Sequence, residues 1–148
     1  MTKELMQVYQ KTVREHSRKP HHFGKLVNAT HSAEGFNPLC GDKVTVHLTM
    51  NSNGTINEAS HETTGCAICM SSASMMADAI QALDSAAANA LCSQVHTMLT
   101  SGSNDNPPGM PLKSLEGVRA YPSRVKCATL PWQTLLTAMM GETLTTTE

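Results

Sequence analysis

Lys43-Val44-Thr45-Val46-His47-Leu48-Thr49-Met50, followed by Asn51-Ser52-Asn53-Gly54, is the stretch from which the fold can be read. Val44, Val46 and Leu48 alternate with Thr45, His47 and Thr49. A period of two sends one set to each face of the chain, which is the pattern of a half-buried strand. Asn-Gly is a strong hairpin signal because both residues accept the positive φ that a tight turn demands. Residues 55–64 therefore run back as the partner strand. A shorter strand around residues 31–36 completes a three-stranded antiparallel sheet.

On either side of this sheet the periodicity becomes helical. Residues 3–17 carry Leu5, Val8, Tyr9, Val13 and His16 at helical spacing; Thr2 caps the start and Lys19-Pro20 ends the helix. His21-His22-Phe23-Gly24 reads as a solvated turn. The other histidines (16, 31, 47, 61 and 96) lack ligand spacing and read as surface or core residues. Gly65 breaks the second hairpin strand, and residues 66–83 read as a helix that is small or apolar almost all round, hence buried. Asp84-Ser85 starts another helix, to about Thr100. Residues 101–109 read as a loop, and Leu112, Leu115 and Val118 as a short helix. Pro131 lacks an N–H and suits only a helix start, which places the beginning of the last helix near Ala128. Gly141 stops it, and residues 143–148 read as a frayed tail. The expected fold is α+β: residues 1–148 as a single domain, with helices packed on a small three-stranded antiparallel sheet.

Composition narrows the function classes. Hydrophobic residues make up 40% of the 148, enough for a core, but aromatics only 3%, so Leu, Val, Ile, Ala and ten Met must fill it. A net charge of −1 provides no basic stripe for nucleic acid. No run is long enough to span a bilayer, and the N-terminus lacks an apolar leader, so a cytoplasmic protein is expected. Five cysteines at irregular spacing in a reducing compartment read as thiols or metal ligands, not disulfides.

Three of those cysteines sit at structural punctuation. Asn37-Pro38-Leu39-Cys40-Gly41-Asp42 is a tight turn that lets a thiol and a carboxylate face one point. Gly65-Cys66 places a thiol at the first turn of a helix, where free N–H groups and the dipole favour the thiolate. Cys127 falls at the start of the last helix for the same reason. Three thiolates and a carboxylate make a closed tetrahedral set for Zn²⁺, with sulfur at about 2.3 Å and oxygen at about 2.0–2.2 Å. The same groups suit iron or an iron–sulfur cluster. Lys43, Arg124 and Lys126 flank the ligands and offset their negative charge. Cys66-Ala67-Ile68-Cys69 is a CxxC pattern with no thioredoxin-like βαβ context, so Cys69 reads as a buried thiol; Cys92 reads as core. A thiol oxidoreductase using Cys66 and Cys69 is the weakest reading.

Asn37 to Asp42, Gly65-Cys66-Ala67-Ile68 with Ser72-Ala73-Ser74-Met75-Met76, and Lys126-Cys127-Ala128-Thr129-Leu130-Pro131-Trp132 together resemble the U-type iron–sulfur assembly proteins, the IscU/NifU-N/SufU family. The likeness runs over nearly the whole chain. It is closest to the SufU branch, because of the segment between the second and third of these cysteines and because Lys126 stands where the IscU branch has histidine. The resemblance implies an α+β fold with Cys40, Asp42, Cys66 and Cys127 as zinc ligands. It further implies that Cys40 accepts persulfide sulfur from a SufS-type cysteine desulfurase, in the manner of a sulfurtransferase, for downstream assembly or acceptor proteins. The alternative it leaves open is a scaffold that builds and hands over a [2Fe–2S] or [4Fe–4S] cluster on the same ligands. Cys69 departs from the small residue expected at its position.

Overall fold

The computed structural model describes residues 2–102 and 106–148. Its elements are α1 (Lys3–Arg18), β1 (His31–Asn37), β2 (Asp42–Met50), β3 (Ile56–Thr64), α2 (Ala67–Ile80), α3 (Ser85–Thr100), two 3₁₀ segments (Leu112–Ala120 and Pro122–Arg124), α4 (Val125–Met139) and β4 (Leu144–Thr146). The Thr2 hydroxyl accepts the Leu5 N–H at 3.0 Å and caps α1, and Asp84 does the same for α3 through Ala87. Residues 103–105 of the expected loop lie outside the described residues.

The alternation in β2 does what its period dictates. Val44, Val46 and Leu48 are fully buried beneath the helices, and the opposite face carries a polar ladder in which His47 meets Ser32 on β1 and Glu62 on β3. Gly54, at φ +86°, closes the β2–β3 turn. α2 is buried over most of its length, including Ser71, Ser72 and Ser74, whose hydroxyls are all hydrogen-bonded. α4 crosses β1 so closely that a Cβ on Gly35 would stand 2.1 Å from Thr134 Oγ1. Glycine there is a packing requirement.

Two expectations need correction. The sheet has four strands, in the order β3-β2-β1-β4, and β4 is parallel to β1. Residues 144–146 are thus a strand, not a frayed end. The open edge of β1 draws in a β-branched, threonine-rich segment, and Gln133 on α4 fastens it by donating to Thr145 Oγ1 and the Thr146 carbonyl, both at 2.7 Å. The last helix also begins at Val125, three residues before the expected Ala128, so Pro131 lies inside it. Its missing N–H forfeits one helical hydrogen bond to the Cys127 carbonyl. In the same turn, buried packing and a hydrogen bond from the Ser72 hydroxyl to the Ala128 carbonyl (2.7 Å) hold the helix together.

Candidate metal centre

The turn between β1 and β2, the N-terminus of α2 and the first turn of α4 meet at one point. Cys40 sits on the turn, where Gly41 has φ +71°; the residue is exposed, while its sulfur's contact with Cys127 is partly buried. Asp42, the first residue of β2, is buried. Cys66 is the N-cap residue of α2 and is half-buried; Cys127 is the third residue of α4 and fully buried. The ligand atoms of Cys40, Asp42 and Cys127 all lie within 4.8 Å of one another, and the Cys40 and Cys127 sulfurs are 3.4 Å apart. Cys66 stands outside that tightest set, yet its backbone N–H donates to Asp42 Oδ1 and its thiol acts on that of Cys127. The four residues read from sequence are therefore neighbours.

Backbone shape fixes the carboxylate. Asp42 Oδ1 accepts the Cys66 N–H at 2.9 Å, satisfying a free donor at the start of α2. That approach requires Gly65: its φ is +149°, and a Cβ would lie 2.2 Å from Asp42 Oδ1. Asn37, the last residue of β1 and the first of the turn motif, braces the site. Its amide donates to Asp42 Oδ2 at 3.2 Å and to Cys127 Sγ at 3.6 Å. Thr147, in the supposedly frayed tail, donates in turn to Asn37 Oδ1 at 3.0 Å. Nothing local in the sequence marks Thr147; its role depends on β4 pairing with β1.

The Cys127 thiol does not behave as its helix position alone suggests. Burial pushes the Cys127 thiol well above the usual range, and hydrogen bonding to Asp42 and Cys40 and the charge of Cys66 push the same way. The helix dipole is outweighed. Arg124 is exposed near Cys127, and its guanidinium is held more firmly protonated by Cys127 and by the nearby thiols of Cys66 and Cys40. Lys126 is exposed. Beside Cys66 a cavity of about 350 Å³ opens between Tyr9, Ile68, Tyr121 and Arg124. Cys69 is fully buried and burial drives its thiol far upward, so it is a neutral, inaccessible core group. Cys92 is likewise core.

This donor chemistry fits a divalent cation that tolerates sulfur. The carboxylate and the neighbouring thiols raise the cost of ionising Cys127, and a positive charge at their centre reverses that cost. Asn37 already orients one oxygen and one sulfur, as an outer-shell residue does.

Residues 8–128 match the NifU-like N-terminal domain family. The chain belongs to that family. Within it, the chain is 35% identical over 130 residues to the zinc-dependent sulfurtransferase SufU of Bacillus subtilis (strain 168), covering 86% of each protein. It is 32% identical over 139 residues to the iron–sulfur cluster assembly scaffold protein IscU of Streptococcus pyogenes serotype M1, covering 92% of this chain and 85% of that one. The crystal structure of the N-terminal part of a nitrogen-fixing NifU-like protein from Brucella abortus superposes with a TM-score of 0.82 at 26% identity, over 90% of this chain and 93% of that one. The α+β fold of the NifU-like family is the fold described above, with a fourth strand added to the expected three.

Proposed function

We propose that this NifU-like protein is a zinc-dependent sulfur carrier of cytoplasmic iron–sulfur cluster assembly, taking persulfide sulfur from a SufS-type cysteine desulfurase onto Cys40. The observation that carries the reading is a contrast within one thiol set: Cys40 is exposed on a turn, while Cys127, 3.4 Å away, and Asp42 are buried. Cys40 is the thiol on the exposed turn, and Cys127 is fixed behind it. The kinship with a sulfurtransferase named for its zinc dependence supports the same choice.

Cys40, Asp42, Cys66 and Cys127 would hold Zn²⁺, which supplies the positive charge that keeps the thiols ionised near neutral pH. Asp42 is held for that role by Asn37 and the Cys66 N–H. In the transfer, the Cys40 thiolate attacks the outer sulfur of the desulfurase persulfide. A sulfur–sulfur bond forms to Cys40, the bond between the outer sulfur and the desulfurase cysteine breaks, and that cysteine departs as a thiolate with the bonding electron pair. Sulfur changes carrier without any external oxidant or reductant. Arg124 lies near Cys127 and Lys126 is beside it in sequence; both are exposed and offset the anionic charge at the rim.

A second reading treats a [2Fe–2S] or [4Fe–4S] cluster as cargo, assembled on the same four side chains and passed to acceptor proteins; the likeness to IscU scaffolds favours it. Oxidoreductase chemistry by Cys66 and Cys69 gains no support, because Cys69 is sealed in the core.

The test is desulfurase turnover with and without this protein. The wild type is expected to stimulate turnover, and Cys40→Ala to lose at least nine-tenths of that stimulation, about a tenfold effect. Stimulation that survives in Cys40→Ala rules out the carrier reading. Metal content of protein purified without added metal separates the two readings: colourless protein with zinc speaks for the carrier, brown protein for the scaffold.

A further inference from the structure

A second group of ligand-type side chains lies at the other end of α2. Asp78 is in the last turn of that helix, at the negative end of the dipole, and no basic residue shares the turn. A carboxylate is electrostatically misplaced there. Among the described residues its ionic partners are two imidazoles: His21 Nδ1 is 2.5 Å from Oδ2 and His22 Nε2 is 3.0 Å from Oδ1. A third imidazole, the buried His16 of α1, packs with its ring centroid 4.6 Å from that of His21. Ligand atoms of His16, His21 and Asp78 all lie within 4.8 Å of one another. None of them belongs to the thiol centre. Asp78 lies twelve residues along the helix from Cys66, about 18 Å at 1.5 Å per residue.

The cluster is held in advance by its neighbours. Ser74, one turn before Asp78, has its hydroxyl oxygen 2.7 Å from His16 Nδ1 and accepts the His21 backbone N–H at 2.7 Å. One hydroxyl thus ties the end of α1 and the turn after it to α2, and fixes the His16 ring beside His21. His61 on β3 fixes the backbone that bears the pair. Its ring Nε2 lies 3.1 Å from the His21 carbonyl, its N–H donates to the His22 carbonyl at 3.0 Å, and its own carbonyl accepts the Gly24 N–H at 2.9 Å. Its Nδ1 is taken up by Thr63, so His61 supports the cluster without a nitrogen to spare. His22 holds a left-handed φ of 54°, and that backbone pinning keeps it there.

We infer that His16, His21 and Asp78 form a second divalent-cation site, separate from the thiol centre, of the nitrogen–oxygen class that takes Zn²⁺ or Ni²⁺. Two imidazoles and one carboxylate leave a fourth position to water, a known zinc arrangement, and imidazole is the ligand shared by the late first-row metals. His22 steadies the free carboxylate oxygen. The cation takes the place of the proton shared between His21 Nδ1 and Asp78, so binding releases that proton and weakens as pH falls.

The experiment is a Zn²⁺ titration of the whole ¹⁵N-labelled chain, following the ring nitrogens of the histidines. His16 and His21 are expected to respond together at one stoichiometric step, whether or not the thiols have taken an earlier equivalent, while His31, His47 and His96 stay silent. Asp78→Asn should weaken that step at least tenfold, and His21→Ala should do the same should the first variant fold poorly. In both, the near-ultraviolet sulfur-to-metal absorption of a Co²⁺-loaded thiol centre should be unchanged. Rings of His16 and His21 that ignore Zn²⁺, equal responses at His31, His47 and His96, or undiminished affinity in both variants would each overturn the site and leave a plain imidazole–carboxylate latch.

Discussion

The two ends of α2 gather ligand-type side chains by opposite routes. At its N-terminus the group is assembled from four distant parts of the chain, between Asn37 and Thr147, and is mostly buried. At its C-terminus the group comes from the end of α1, the turn just after it and one helical carboxylate, and His21, His22 and Asp78 remain about half exposed. Burial sets the strength of coupling. Charges sealed from water act on one another strongly, whereas exposed pairs are screened to within about 1 kcal/mol. The first end should therefore respond to small changes with large effects, and the second should stay quiet until a cation arrives.

The sharpest way to break that contrast is at Gly65. Alanine there must place a Cβ 2.2 Å from Asp42 Oδ1 at a φ of +149°. Overpacking and an unfavourable backbone together should cost about 2–5 kcal/mol. Urea denaturation should show the loss as a lower midpoint with an unchanged slope, along with much weaker Zn²⁺ retention. A Gly65→Ala protein as stable as wild type would mean that the carboxylate seat is not rigid.

Asp42→Asn is the next step down. The carboxylate accepts from two donors, the Asn37 amide and the Cys66 N–H. An asparagine offers one oxygen and one NH₂, so one of these contacts becomes donor against donor. Bonds to a charged acceptor contribute about 1.5–3 kcal/mol, and a loss of that size is expected in the same denaturation experiment. A neutral outcome would place the stabilisation elsewhere.

The sequence foretold the two ends unequally, and for physical reasons. The hairpin, the buried α2 and the positions of Cys40, Asp42 and Cys66 follow from period, glycine and local turn chemistry, all of which act over a few residues. Thr147 and β4 do not, because their order comes from an open sheet edge and from Gln133, contacts made only after folding. The start of α4 was misplaced because a rule for isolated helices, proline in the first turn, gives way to tertiary packing around Ser72. The upward push on Cys127 was missed because a helix N-terminus is visible in sequence and burial is not. His21 and His22 read as a solvated loop, which they partly are; Asp78, their partner, lies 56 or more residues away in sequence.

Cys92 tests whether burial alone reproduces the behaviour of the site thiols. It lies on α3, away from the carboxylate, and burial pushes its thiol up to about 12 from 9.0. The folded protein then keeps this proton while the unfolded chain releases it. Stability from Cys92 is fully present below about pH 9 and is lost as pH rises towards 12, by about 1.4 kcal/mol for each pH unit between them. Denaturation midpoints from pH 7 to pH 10.5 should fall less steeply for Cys92→Ala than for wild type. Equal slopes would assign the alkaline loss to the thiols near Asp42 instead.

The smallest effect is expected at the far end, and its smallness is informative. Asp78→Asn without added metal removes two imidazole contacts that are open to solvent, and it also removes a negative charge from the wrong end of a helix dipole. These changes oppose each other, so the net cost should be under about 1 kcal/mol at neutral pH. With free Zn²⁺ at a hundred times the wild-type dissociation constant of that site, the wild type should gain about 2.7 kcal/mol, and a variant that binds tenfold more weakly no more than about 1.4 kcal/mol. A large loss in Asp78→Asn before any metal is added would show that the far end is a structural brace like the near one, and that exposure does not divide the two ends of α2 after all.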